Sequence, residues 1–374
     1  MARKNVLVAI DIGAGRGARL GLFTDPDSAM AASILPRERF GDSVDEFVGG
    51  LLRTMNELLE GNETRMNEVR AIGIASPGLF RSDGTYLLAA NLKFLNGHNL
   101  KHRFAKETGV RAVAIDNDAN VGALAEWSAV RTDLLYWVFG GGWGGAWIDK
   151  AGKVRFPALD WDRDDRKLHY TNEPGYAIPL DKLMLETLFH KYAASFEHFE
   201  RIVAESRGRP REKLTGPGGD PDSIRAEEIL SGPGRCRLFR AVVKQDDFYK
   251  RFLNTHEERQ MTDPAVAGKF ISKLSEMRVE SAVNTDRLFG EVLAQAALIM
   301  FKQARQDGLR EPLPICLGGK PSYALPYFGP SAQGRLGAIG IMSYMRPSVI
   351  DERGLNANLI GAAVLAEKVW NASK

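Results

Sequence analysis

Two glycine clusters, each directly after an apolar run, constrain this 374-residue chain more than any other feature. NVLVAIDI leads into GAGRGA, and LLYWVF leads into GGGWGG. Glycine loses more backbone freedom on folding than any other residue, so such clusters need a compensating use. Arg19 to Phe23 follows the first cluster and Ala146 to Asp149 the second, so both read as strand, glycine loop, strand. The loops start at Gly13 and Gly140, 127 residues apart, about a third of the chain. The repeat implies two related lobes. Each opens on a loop whose bare backbone N–H groups can hold a phosphate.

GAGRGA also satisfies the GxGxxG/A pattern of dinucleotide-binding folds, but that reading needs a helix directly after the glycines. ARLGLF before TDPD is too short for one and suits a hairpin partner. The chain has no GxxxxGK[ST] either. Cofactor contacts are therefore expected from Gly13, Gly15, Arg16 and Gly17 in the first loop and Gly140, Gly141 and Gly142 in the second. Gly318 and Gly319, after the strand Leu313 to Leu317, form a third bare-backbone stretch suited to adenine or ribose. Asp11, ending the first strand, is placed to hold a metal ion through water.

The remaining pattern is that of a globular α/β protein. Ser43 to Leu59 reads as an amphipathic helix with a capping-box start. Val69 to Ala75 and Val110 to Ile115 read as strands, the second running into DNDAN, where a helix begins. Apolar residues recur every three or four positions from Leu180 to Val203, implying one long helix. SRGRPREKLTGPGGDPDS reads as a surface loop. Helical patterns follow from Ala226 to Arg305, and a helix from Asn358 to Trp370 closes the chain. Fifty basic and 47 acidic residues nearly cancel, which gives no argument for nucleic acid or an anionic membrane as partner. No apolar run reaches the roughly 18 residues of a membrane span. The two cysteines, Cys236 and Cys316, are far apart, which argues against a disulfide framework or a cysteine-built zinc cage. A cytoplasmic protein is expected.

Among the acids, Asp118 is the strongest catalytic candidate, because it follows a strand near a helix N-terminus, where a carboxylate is stabilised. Asn117 beside it offers a donor–acceptor fork for hydroxyls. Ordinary helix capping is the competing reading of this pair. Glu173 in NEPGYA and Glu227 in AEEILSGPG, taken singly, read as surface carboxylates. The six histidines show no ligand spacing. Trp127, Trp137 and Trp147 read as core, with Trp143, inside the glycine loop, as the exception.

Taken together, these segments resemble the sugar kinases of the actin/hexokinase fold, specifically the bacterial glucokinase and ROK group. VAIDIGAGRGARLGLF looks like the first phosphate motif with one extra loop residue. IGIASPGLF with AANLKFLNGHNL is similar to the Pro-Gly and Asn-Leu segments at the sugar site. DNDANVGALAEW is the most specific match, GGGWGG aligns with the second phosphate motif, and RAEEILSGPGRCRLFRA looks like the glucokinase branch. LGGKPSYA and NLIGAAVLAE match the adenosine segment and the closing helix.

The resemblance implies an α/β, two-lobed actin-like ATPase (ribonuclease H-like) fold with duplicated mixed-sheet domains around a central cleft. Residues 1–116, with the C-terminal helix of about 358–374, would form the small lobe and 117–357 the large one. It implies ATP-dependent phosphorylation of a hexose-like sugar, with Mg²⁺ and without structural zinc. Asp118 would be the general base, and Asn91, Asn117, Glu173, Tyr176 and Glu227 the sugar contacts. A homodimer is compatible with this reading. The sequence departs from the family pattern where Glu-x-Gly-His becomes Glu173-Pro174-Gly175-Tyr176 and where Gly141 replaces a threonine. Those departures keep two rivals open: a non-catalytic sugar-binding regulator or degenerate kinase, and a kinase of a cyclitol or other polyol. Regulators of the family usually carry an N-terminal helix-turn-helix, whereas here the first strand starts by Asn5.

Overall fold

The computed structural model describes residues 5–13, 17–89, 91–155, 170–207, 224–243 and 264–374. They fall into two compact units, one within Met1–Tyr136, Ala146–Arg166 and Ser348–Lys374, the other within Trp137–Gly145 and Lys167–Pro347.

The first unit is built on a five-stranded mixed sheet. β1 (Val6–Gly13), β2 (Gly17–Asp25) and β3 (Ser28–Pro36) form an antiparallel meander. Helix α1 (Val44–Glu60) follows, then β4 (Val69–Ser76), parallel to β1. A small hairpin, β5 (Leu79–Phe80) and β6 (Tyr86–Leu88), precedes helix α2 (Leu100–Thr108). Strand β7 (Val113–Asn117) joins β4 in parallel, giving the order β3-β2-β1-β4-β7. β1 is buried along nearly its whole length because helices cover both faces of the sheet, as its unbroken apolar run requires. β3, at the edge, is mostly exposed. It lies beyond TDPD, where apolar patterning is weak, and the sequence reading stopped before it.

α1 packs one face of the sheet through Phe47, Leu51 and Met55. Its start is fixed by the capping box, in which Ser43 Oγ accepts from the Glu46 N–H at 3.2 Å and the Glu46 carboxylate accepts from the Asp42 N–H at 2.9 Å. The other face carries helix α3 (Asp118–Val130) and the C-terminal helix Ala357–Ala372. Their approach is close enough to demand glycine. A Cβ on Gly73 of β4 would lie 1.9 Å from the Ala362 carbonyl oxygen, and one on Gly361 would lie 1.8 Å from that of Val121.

Strands β8 (Leu134–Phe139) and β9 (Trp143–Ile148) begin the second glycine-loop element, and three residues between them permit only an antiparallel hairpin. With β10 (Pro314–Gly318) and β11 (Tyr344–Pro347) they make a four-stranded sheet of order β11-β10-β8-β9, in which β10 and β11 run parallel. The helices of the second unit are α4 (Pro174–Ala177), α5 (Lys182–Lys191), α6 (Phe196–Arg207), α7 (Ala226–Ile229), α8 (Gly232–Val243), α9 (Pro264–Glu276), α10 (Glu280–Gln306) and α11 (Leu325–Ala338).

Three expectations need correction. The stretch 180–203 is two helices, because Ala193 adopts a left-handed φ of 51° and Ser195 Oγ caps a new helix by accepting from the His198 N–H. The apolar period survived the break because both helices bury the same cluster, with Phe189 5.2 Å from Phe196 and 5.1 Å from Phe199. The strand placed at Val110 to Ile115 runs instead from Val113 to Asn117. Finally, β9 begins at Trp143 rather than Ala146, so the second loop shrinks to Gly140–Gly142. Trp143 is core, 1% exposed, stacked 5.9 Å from Phe139 and edge-on to Trp137 at 5.3 Å. The loop 208–223 and the glycine-loop residues Gly15 and Arg16 lie outside the described residues.

Candidate active site

In the first unit the site grows from two strand ends. β1 delivers Asp11, and the Gly13–Gly17 pairing closes the hairpin that sets Asp11 opposite Arg19. The Asp11 carboxylate is buried and held from three sides. Arg19 donates to Oδ2 at 2.8 Å, Asn356 donates to Oδ2 at 3.4 Å and Asn358 donates to Oδ1 at 3.2 Å. Gly17 closes this corner with φ 106°, where a Cβ would strike the Leu35 carbonyl oxygen. None of Arg19, Asn356 and Asn358 was singled out from sequence. The hairpin register would have revealed the first.

β7 ends in Asn117, and α3 starts at Asp118. Asn117 is the helix cap, its Oδ1 accepting from the Ala119 N–H at 2.9 Å while its Nδ2 donates to the Gly78 carbonyl at 3.1 Å. The capping role thus belongs to Asn117, leaving its second amide hydrogen for a ligand. Asp118, the first helical residue, also accepts from the Ala119 N–H, through Oδ1 at 2.9 Å. Its pKa is pushed up to about 6, first by burial and then by the like charge of Asp11. Beside it the Tyr86 hydroxyl donates to Ser76 Oγ at 2.6 Å, and burial pushes that phenol well above its ordinary value.

Asp116, one residue before the pair, is a buried acid that sequence reasoning passed over. Its Oδ1 accepts from the Asn117 N–H at 2.7 Å and from Asn120 Nδ2 at 2.9 Å, fixing the strand-to-helix corner. Burial pushes its pKa up to about 6 as well. Asn91 is exposed in the turn before Lys93–Leu95 and makes no hydrogen bond to Asn117 or Asp118.

In the second unit, Gly140–Gly142 is stapled internally by the Gly140 N–H donating to the Gly142 carbonyl at 2.9 Å. The first residue of α8 supports it, the Gly232 N–H donating to the Gly140 carbonyl at 2.9 Å. A Cβ on Gly142 would come within 2.9 Å of Glu227 Oε2, so this glycine makes room for a carboxylate. Gly140 and Gly141 have nothing within 4 Å of a Cβ position, so the space beside this face of the loop is open. Gly175 packs on Glu227 Cβ and the Trp143 backbone, bringing the Glu173–Tyr176 segment against Glu227 and the loop. Tyr176 sits under the Arg225 guanidinium, 6.0 Å from its ring centroid, and its carbonyl accepts from Arg225 at 3.1 Å. Gly319, with φ 83°, abuts the Phe139 carbonyl, so Gly318–Gly319 borders the end of β8 where the loop begins. Thus Gly140–Gly142, Glu173, Tyr176, Glu227 and Gly318–Gly319 form one neighbourhood.

For Mg²⁺, three of the four lone-pair positions of Asp11 are engaged, leaving room for one water. Mg²⁺ usually keeps several waters and relies on one or two carboxylates plus substrate phosphates, so Asp11 fits a water-mediated holder. Among the described residues no group of three or more His, Cys, Asp and Glu could hold a metal by itself. Cys236 and Cys316 are buried and form no disulfide, and no described helix is long and apolar enough to cross a membrane.

Residues 7–152 match the family model described as the ROK family. No curated protein matches the chain. Among solved structures, a ROK family glucokinase from Streptomyces griseus in complex with glucose and AMPPNP is 18% identical, with 97% of this chain and 99% of that chain covered at a TM-score of 0.62. A ROK hexokinase from Thermus thermophilus is 18% identical over 98% and 99% of the two chains, at 0.63. A ROK family transcriptional regulator, a homologue of the E. coli MLC protein, is 16% identical over 98% of this chain and 78% of that one, at 0.66. At such identities the likeness establishes the fold, the two-domain actin-like ATPase fold expected from sequence. Kinases and a regulator share it.

Proposed function

We propose, from the ROK match and the residues described in each unit, that the chain transfers a phosphoryl group from ATP to a hydroxyl of a hexose-like substrate. The observation that carries this reading is Asp118, a carboxylate at the first residue of α3 whose pKa is raised to about 6 by burial and by the charge of Asp11. A base with a pKa slightly below neutrality is ionised at working pH yet still basic enough to accept a hydroxyl proton. Phosphoryl transfer needs positioning and charge neutralisation more than covalent chemistry. Asp118 takes the proton of the attacking hydroxyl. Asn117, Glu173 and Glu227 would hold other hydroxyls of the ring, with Asn91 a lesser contributor, and Tyr176 would shape the end of the site where the family pattern has histidine.

Gly141 and Gly142 would offer backbone N–H groups to phosphate oxygens, with Gly140 shaping the loop beside them, and Gly13, Gly15, Arg16 and Gly17 would contact the nucleotide from the first loop. Gly318 and Gly319 would border the adenosine end. Asp11 would hold Mg²⁺ through a water, and the ion when bound would supply charge neutralisation on the nucleotide. The small lobe of 1–116 with the C-terminal helix and the large lobe of 117–357 remain our assignment of roles, and we place the protein in the cytoplasm.

The test is sugar-dependent ADP release over a panel of hexoses, amino sugars and cyclitols, with Asp118→Asn as the blank. The expected outcome is turnover with at least one member that falls about 10²- to 10⁴-fold in the variant. Absence of signal above the blank for every member would favour a sugar-binding regulator instead.

A further inference from the structure

The second unit contains an open pocket of about 830 Å³ that uses none of the residues assigned above. That volume is in the range of small-molecule sites. It is enclosed by the end of α5, the α9–α10 corner and one side of α11, and it collects three cations: Lys191, Arg278 and Arg287. Lys191 is committed to an ion pair with Glu291 at 2.6 Å, which also accepts from the Tyr192 hydroxyl at 3.0 Å. The two guanidiniums differ. Among the described residues, neither Arg278 nor Arg287 has a hydrogen-bond or ion-pair partner for its side chain. Glu280 is the one acid of the pocket wall, so the lining carries excess positive charge. Pro326, Tyr327 and Pro330 add apolar and aromatic surface to the lining.

Arg278 adds an independent observation. It occupies a left-handed backbone conformation, φ 58°, at the end of α9, a position glycine fills without steric cost. The turn is held by the Arg278 N–H donating to the Ser275 carbonyl and the Val279 N–H to that of Leu274, both at 3.0 Å, with no hydrogen bond from the Arg278 side chain among the described residues. Retained backbone strain of this kind is a pointer to function. Planar guanidiniums match the geometry of phosphate oxygens, and the Tyr327 ring suits the face of a sugar ring or a base.

We infer that this pocket binds a phosphate monoester, gripped by Arg278 and Arg287 with its organic body against Tyr327. A kinase of this fold would then carry a second, non-catalytic site for phosphorylated metabolites. Binding needs no turnover, so the inference stands or falls independently of the proposed activity.

The experiment is calorimetric titration of the full chain with glucose 6-phosphate, AMP and inorganic phosphate, with glucose as the uncharged control. It is run with a non-hydrolysable ATP analogue present throughout. Each charge-assisted contact contributes about tenfold, so Arg278→Gly should weaken binding about tenfold and the double variant with Arg287→Gln about a hundredfold. Arg278→Gly should also leave the melting temperature unchanged or raise it, because glycine relieves the left-handed strain. Tighter binding of glucose 6-phosphate than AMP would identify sugar phosphates as the ligand class, and the reverse order nucleotides. Absence of binding by every phosphate probe, or wild-type affinity in Arg278→Gly, would overturn the site. Should Arg278→Gly bind weakly but also melt lower, Arg287→Gln decides, and unchanged affinity there overturns it.

Discussion

The two glycine loops use one backbone device and anchor it in opposite ways. The first, at Gly13–Gly17, rests on a polar clamp in which Asp11 is held by Arg19, Asn356 and Asn358. The second, at Gly140–Gly142, rests on an aromatic plug in which Trp143 sits between Phe139 and Trp137. A polar clamp places a negative charge at a chosen point and tunes the neighbouring Asp118. An apolar plug contributes no charge and holds the backbone by packing. The first loop is therefore the place where electrostatics should respond to mutation, and the second the place where stability should.

The largest effect is expected at the plug. Trp143→Ala should destabilise the protein by about 3–5 kcal/mol through cavity formation, read by chemical denaturation. A loss under about 1 kcal/mol would show that the second loop is not held by packing. Next comes the contrast within that loop. Gly142→Ala places a methyl group against the Glu227 carboxylate and should cut turnover about tenfold or more. Gly141→Ala has open space and should keep the fold intact, weakening only nucleotide binding. Equal effects of the two on turnover would remove Glu227 from the loop's chemistry.

Sequence patterning captured the first unit well because its central strands are continuous apolar runs and α1 carries both its cap and its period. The glycine loops and the Asn117–Asp118 pair were legible for the same reason, since backbone geometry dictates residue type there. Trp143 was misread because a tryptophan among glycines carries no local sign of burial. Its fate depends on Phe139 and Trp137, which only the hairpin brings against it. Asp116 and Arg19 were missed because their partners lie across a corner or a strand pair, and periodicity does not report such contacts. The pocket at Arg278 was invisible, since it joins three separated helices and a left-handed turn.

The smallest of these effects belongs to the clamp. Arg19 is partly exposed, so Arg19→Ala should change stability little. It leaves the negative charge of Asp11 uncompensated, which disfavours the ionised form of Asp118. The pKa of Asp118 then rises, and the acid limb of the rate profile moves to higher pH. An unmoved limb would uncouple the clamp from the base.

The central claim is that Asp118 acts as the base in its ionised form, and the pH dependence of kcat between pH 5 and 8 on the accepted substrate tests it most directly. The rate should fall as pH drops through about 6, where Asp118 takes up its proton. Asp118→Asn should lack that limb and turn over about 10² or more times slower. A pH-independent rate in the wild type, or a variant that keeps both the limb and the rate, would contradict the assignment.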